Sequence, residues 1–183
     1  MSKIVFNYRR KTWKETQNFI DSLEAGHALD LACGNGQETA LLFKKGLEVT
    51  ALDISDDLLN EAKKKAPNAN FIKGDIRNIP LENDSVNYIN FMAALHHLKN
   101  NNDRLKCLKE IHRCLKKDGR AFLSVWSKKG LSGGKYIPWG DNKKRYYYFF
   151  EQQELLNLIQ MSGFEIIKCK NSNENIFVEF KKP

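Results

Sequence analysis

The sequence predicts an α/β domain in which a mostly parallel sheet carries helices on both faces and closes with one antiparallel hairpin. Three observations predict it. Short apolar and β-branched runs alternate with helical stretches, turn residues fall between them, and the last two runs lie too close together for a parallel crossover.

The first strand is HALDL (27–31), followed by a helix over 37–45 that ends at Gly46, a left-handed cap candidate. LEVTALD (47–53) is the second strand. Behind it Ser55 caps a helix over 56–66, with Asp56 and Asp57 in the first turn, where the helix dipole favours anions. NFIKG (70–74) and VNYINFM (86–92) are the third and fourth strands. The clearest helix is DRLKCLKEIHRCLKKDG: Leu105, Leu108, Ile111 and Leu115 form one apolar stripe, and the helix stops at Lys116-Lys117 before Gly119. RAFLSVW (120–126) is the fifth strand. A helix over 151–161 carries Leu155, Leu156, Leu158 and Ile159, with Gly163 behind it. Finally FEIIKCK (164–170) and ENIFVEF (174–180) are separated by Asn-Ser-Asn alone, which demands a hairpin. Residues 127–150 read as one long irregular insertion, a length that in compact domains marks a functional or disordered segment.

A chain of 183 residues, 42% hydrophobic and 11% aromatic, fits a single domain over 1–183 with a real core. No apolar run approaches the ~18 residues of a membrane span, and MSKIVFNYRRKTW does not read as a signal peptide, so a soluble cytoplasmic protein is expected. Cys33, Cys107, Cys114 and Cys169 form no C-x-x-C pair and no zinc quartet, so neither a disulfide nor a metal is expected. Cys107 and Cys114 share a helix face as small core residues. The net charge of +8 favours polyanionic partners, with basic clusters at 9–11, 63–65, 128–129 and 143–145; the 63–65 triplet reads as a solvated helix face.

The chemistry gathers at strand ends. In DLACGNG, Gly34 and Gly36 allow a ligand to approach the backbone, but the pattern lacks the third glycine of a dinucleotide loop. Asp30 would repel a phosphate and suits an ammonium. Asp53 ends the second strand, where a carboxylate can accept two ribose hydroxyls, and Asp75 ends the third, where it can accept an exocyclic amine beside the backbone amide of Ile76. Together these acceptors outline an adenosyl amino acid.

On these residues the chain resembles the class I S-adenosylmethionine-dependent methyltransferases over essentially its whole length. The resemblance implies a Rossmann-like fold of seven strands, the last inserted antiparallel between the fifth and sixth, and it tolerates alanine at the first glycine position of the loop, here Ala32. It implies cofactor contacts from Arg9, Asp30, Ala32, Cys33, Gly34, Gly36, Asp53, Ile54, Asp75, Ile76 and Met92.

The acceptor side is similar to a narrower group, the tRNA methyltransferases that esterify 5-carboxymethyluridine at the wobble position. The matching features are His96-His97 after the fourth strand, Val125-Trp126 at the fifth, YIPWG, RYYYFFEQQEL, the final ENIFV, and YRRKTW, which aligns Arg9 and Trp13. Tyr148 stands where that group often has histidine, Gln153 replaces a glycine, Thr12 replaces a proline, and the N-terminal helix reads as cut to a few residues. The resemblance implies His97, Arg145 and Tyr146 around the reacting group, with Arg10, Lys11, Trp139, Lys143, Lys144 and Tyr147 on RNA. Alternate members of YYYFF are expected to point into the core. A small zinc-binding activator is implied at the edge strand of Phe71, Ile72 and Lys73. Two alternatives stay open: a methyltransferase of a small carboxylic acid or other metabolite, and a non-catalytic RNA-binding subunit.

Overall fold

The structure, a computed structural model, describes residues 12–139, 143–172 and 174–183. Along the chain run α1 (Lys14–Asp21), β1 (His27–Leu31), α2 (Gln37–Lys44), β2 (Glu48–Asp53), α3 (Asp56–Lys65), β3 (Asn70–Lys73) and β4 (Val86–Met92). A 3₁₀ turn (Leu95–His97) leads into α4 (Asn101–Cys114), followed by β5 (Leu115–Trp126), β6 (Gly133–Trp139) and β7 (Lys143–Phe149). The chain ends with α5 (Gln152–Met161), β8 (Glu165–Ser172) and β9 (Asn175–Lys181).

Seven strands form one sheet in the order β3-β2-β1-β4-β5-β9-β8. The first five are mutually parallel, and β9 lies antiparallel between β5 and β8. This is the class I methyltransferase arrangement expected from the sequence. Strand order reverses between β1 and β4, so their carboxyl ends open a crevice at the switch point, where open α/β sheets bind ligands.

Both faces of the sheet are covered. On one, Leu108 and Ile111 of α4 and Leu155 and Ile159 of α5 pack against Leu29, Ile89, Phe91 and Leu123, all buried. On the other, Phe19 and Ile20 of α1 and Leu42 of α2 pack against Val49, Phe122 and Phe177; the Phe19 and Phe122 rings stack at 4.9 Å. Parallel strands buried on both faces read as continuous apolar runs, and for that reason they were legible in the sequence. Cys107 and Cys114 are both buried in the core, as their spacing suggested. Ser55 caps α3, its Oγ accepting from Leu58 N at 3.4 Å.

Three expectations need correction. Helix α4 ends at Cys114, and Leu115, Lys116 and Lys117 open β5, which was expected only from Arg120, instead of closing the helix. Residues 127–150 are not one irregular insertion: within them β6 and β7 pair antiparallel from Gly133↔Phe149 to Trp139↔Lys143 as a separate two-stranded sheet. The aromatic run supplies the strand propensity, and period-two alternation sends Tyr147 and Phe149 inward. The N-terminal helix is also more than a remnant. α1 has eight residues, with Thr16, Phe19 and Ile20 buried along one stripe, and Lys170 of β8 holds Glu15 of α1 at 2.8 Å.

Candidate active site

A cavity of about 710 Å³ opens at the carboxyl ends of β1 to β4. Its floor is the turn after β1. There Ala32, Gly34 and Gly36 adopt left-handed φ values of 57°, 55° and 75°. Gly36 N donates to Cys33 O within the turn (3.0 Å), and Cys33 N donates to Leu52 O (2.9 Å), tying the turn to β2. Gly36 also permits close helix packing, since a Cβ there would lie 2.6 Å from Ala62 Cβ. Ala32 adopts the same conformation with a side chain, at a local cost of about 1–2 kcal/mol.

Three carboxylates face this cavity from successive strand ends. Asp30 is 2% exposed, accepting from Thr39 Oγ1 (2.5 Å) and Asn90 Nδ2 (2.8 Å). Burial, reinforced by the nearby Glu38 charge, pushes its pKa up to about 7. Asp53 accepts from Ser55 N through Oδ1 (3.0 Å) and from Gly34 N through Oδ2 (2.8 Å), which fixes the carboxylate and leaves one lone-pair direction on each oxygen. Asp75 is clamped by Arg77, whose backbone amide and guanidinium both bond it, the shortest contact being 2.6 Å. That clamp holds Asp75 below the usual carboxylate range. Arg77 reaches on to Asp103 at 3.2 Å and lines the cavity itself. Sequence reasoning missed it; an arginine two residues beyond a strand-end acid was the available signal.

Ile54, 66% exposed, and Ile76 and Met92 add apolar surface. Acids at three strand ends and an apolar shelf fit a cationic adenosyl amino acid better than a dinucleotide phosphate. Cys33 lines the cavity too, but burial drives its thiol far above its ordinary pKa, so it is no thiolate nucleophile.

The opposite wall comprises the 3₁₀ turn, the end of β5 and strand β7. His96 is 1% exposed, and its Nδ1 accepts from Trp126 N at 3.2 Å; it is the packed member of the pair. His97 Nδ1 lies 2.9 Å from the Tyr146 carbonyl. A carbonyl only accepts, so Nδ1 carries the proton and Nε2 keeps its lone pair. Burial, then the Arg145 charge, lowers the His97 pKa to about 4, and the ring is neutral near pH 7. Arg145 and Tyr147 also line the cavity.

The structure redistributes roles within the aromatic run. Tyr147, expected as a stacking platform for a base, is 2% exposed and stacks on Trp126 at 4.4 Å, so it forms wall rather than free surface. Tyr146 contributes its carbonyl; its ring packs on Tyr136 at 5.4 Å and its hydroxyl donates to Lys99 O at 3.2 Å. Lys143 and Lys144 are exposed on the hairpin. Arg9, Arg10 and Lys11 lie outside the described residues, as does the side chain of Trp139. His27 bonds Thr50 Oγ1 (2.9 Å) and His112 packs on Phe164, ordinary strand and helix roles. Among the described residues no group of His, Cys, Asp or Glu is placed to hold a metal, and no helix is long and apolar enough to cross a membrane.

A family model described as a methyltransferase domain matches residues 29–123, from β1 through most of β5. The chain belongs to the class I S-adenosylmethionine-dependent methyltransferases. Over 95% of its length it is 28% identical to the Encephalitozoon cuniculi protein ECU09_1500, whose name places it provisionally among methyltransferases; the match covers 88% of that protein. It is 36% identical, over 57% of its length, to the ubiquinone/menaquinone biosynthesis C-methyltransferase UbiE of Campylobacter jejuni, and the match covers 46% of that longer enzyme. An S-adenosylmethionine-dependent methyltransferase structure from Methanosarcina mazei shares the fold at a TM-score of 0.81 and 19% identity, covering 93% of this chain and 98% of that one. The resident cofactor of this methyltransferase is S-adenosylmethionine. Asp30, Asp53 and Asp75 all line the cavity, as expected of residues that would hold its ammonium, ribose and adenine amine.

Proposed function

We propose that this methyltransferase esterifies the carboxylate of 5-carboxymethyluridine at the wobble position of tRNA. The observation that carries the reading is the wall facing the cofactor floor: the Arg145 cation stands beside a neutral, acceptor-bearing His97, on a strand that begins with the exposed Lys143 and Lys144. The succession His96-His97, Val125-Trp126, YIPWG and RYYYFF supports it.

Bound S-adenosylmethionine supplies a methyl group on a sulfonium, an electrophile with its leaving group built in. A carboxylate has an ordinary pKa near 4 and is ionised at neutral pH, so the protein needs no general base. Accordingly the neutral His97 serves as a hydrogen-bond acceptor for an N–H or O–H of the substrate. Arg145 holds the carboxylate by a charge-assisted contact. Trp126 and Tyr147, stacked on each other, exclude water from that side. Positioning and desolvation of this kind contribute about 7–11 kcal/mol in well-oriented cases. Lys143 and Lys144 take phosphates, which makes binding salt-dependent.

The activator partner belongs to the same proposal. β3 lies at the sheet edge, where an added strand can pair with it.

A second reading, methylation of a small metabolite, is favoured by the identity to a quinone-biosynthesis C-methyltransferase. Methyl transfer from labelled cofactor to tRNA, with and without the activator, separates the two. A carboxyl ester loses its label as methanol in mild alkali, whereas a methyl group on carbon, nitrogen or ribose survives. Alkali-stable label, or label on small molecules alone, contradicts the tRNA carboxylate assignment.

A further inference from the structure

We propose that Arg104 is a positioning residue that locks the acceptor wall of the cavity in place, bolting the turn that follows His97 to strand β7 through Tyr148. Arg104 sits in the first turn of α4 and is 1% exposed. Its guanidinium donates to Leu98 O (3.2 Å from Nε and 2.9 Å from Nη2), Asn101 Oδ1 (2.6 Å) and Lys99 O (3.5 Å). Its Cζ lies 3.6 Å from the centre of the Tyr148 ring and 5.3 Å from that of Phe150. Among the described residues no carboxylate comes within ion-pair distance of it. The negative charge it has is Glu154, reached through the Tyr148 hydroxyl, which donates to Glu154 Oε1 at 2.6 Å.

A buried guanidinium without a carboxylate is a poor way to add stability, because desolvation of the charge opposes it. Its partners show what it does instead. Every acceptor lies within 98–101, directly behind the histidine pair, and the aromatic platform comes from β7.

Two further bonds join the same pieces: His97 Nδ1 to Tyr146 O, and Tyr146 Oη to Lys99 O. Gly134, on the opposing strand, leaves room for the second, since a Cβ there would meet Tyr146 Oη at 2.1 Å. Along β7 the roles alternate with the strand period. Arg145 and Tyr147 line the cavity, while Tyr146 and Tyr148 hold the strand to the turn. Arg104 therefore acts through Tyr148 on the placement of Arg145, Tyr147 and His97 without touching the reacting atoms.

Hydrogen exchange and cofactor calorimetry on Arg104→Met and Arg104→Lys test this without knowledge of the acceptor. The expected result is faster amide exchange, by about tenfold or more, confined to 95–101 and 133–149. Exchange in β1 and β2 and the affinity for S-adenosylmethionine should stay within about twofold of wild type. Lysine should rescue little, because an ammonium cannot reproduce the planar fork. Tyr148→Leu should give the same local pattern, the double variant adding little, whereas Tyr148→Phe, which keeps the ring, stays near wild type. If Arg104→Met does not fold, Tyr148→Leu reads the same coupling from the strand side. Unchanged exchange in 143–149, loss of protection spread evenly over the sheet, or additive effects of the two substitutions would overturn the proposal. Methyl transfer to tRNA should fall with kcat, by about 10²-fold for an ångström of misplacement. That last readout rests on the proposed acceptor, and the others do not.

Discussion

Asp30→Asn should stabilise the ligand-free protein while weakening cofactor binding. Asp30 is buried with Glu38 and Asp53 nearby, and its pKa rises from an ordinary 3.8 to about 7 despite the bonds from Thr39 and Asn90. A carboxyl whose folded-state pKa is raised contributes stability that is complete below its unfolded value and is lost as pH climbs through about 7. Each unit corresponds to about 1.4 kcal/mol, so the loss by pH 8 is about 4 kcal/mol, of which two units, about 3 kcal/mol, fall between pH 5 and 7. Asparagine removes the titration, can still accept from Thr39, and can offer its amide to the unpartnered Asn90 Oδ1. At pH 8 the variant should gain about 2–4 kcal/mol, or about 4–16 °C in Tm for a domain of this size, with the gain shrinking by about 2–3 kcal/mol at pH 5. Urea unfolding followed by circular dichroism at several pH values measures this, and calorimetry should show cofactor affinity reduced at least tenfold. Equal gains at pH 5 and pH 8, or a variant no more stable at pH 8, would refute the reasoning.

Asp53→Ala should abolish cofactor binding in calorimetry, since it removes the ribose acceptor and the anchor of Gly34 N and Ser55 N; normal affinity contradicts that assignment. Ala32→Gly should leave stability unchanged or raise it by up to about 1 kcal/mol, because release of left-handed strain offsets the greater freedom of the unfolded chain; a loss above 1 kcal/mol in urea titrations counts against it. Arg145→Ala should keep cofactor affinity and reduce transfer by about 10²-fold, and intact turnover removes its orienting role. With a His97 pKa of about 4, kcat at saturating cofactor should stay flat from pH 8 down to about 5. An acid limb near 6.5 that vanishes in His97→Asn shows a titrating histidine instead.

The central sheet was legible because strands buried on both faces read as apolar runs punctuated by Gly46, Ser55 and Gly119. The three cavity acids were legible because each stands at or next to the carboxyl end of a strand: Asp30 one residue before the end of β1, Asp53 at the end of β2 and Asp75 two residues past β3. The β6–β7 hairpin was not, since Gly133-Gly134 and Pro138 look like loop, and its pairing is long-range information. The aromatic run declared a period of two but not its phase. A shift of one residue exchanges Tyr146 with Tyr147, and packing on Trp126 decides the matter. α1 read as only a remnant because Trp13 is no capping residue and its stripe is short. Arg104 sits in a helix rich in charges where nothing local distinguishes a buried guanidinium from a solvated one.

The most direct measurement is the identity of the methylated nucleoside. Protein, activator, labelled S-adenosylmethionine and tRNA carrying 5-carboxymethyluridine are incubated, and the tRNA is digested and resolved into nucleosides. The account predicts label in the methyl ester of 5-carboxymethyluridine, from the wobble position alone. Label on another nucleoside, or none on tRNA while small acids or quinones are methylated, contradicts it.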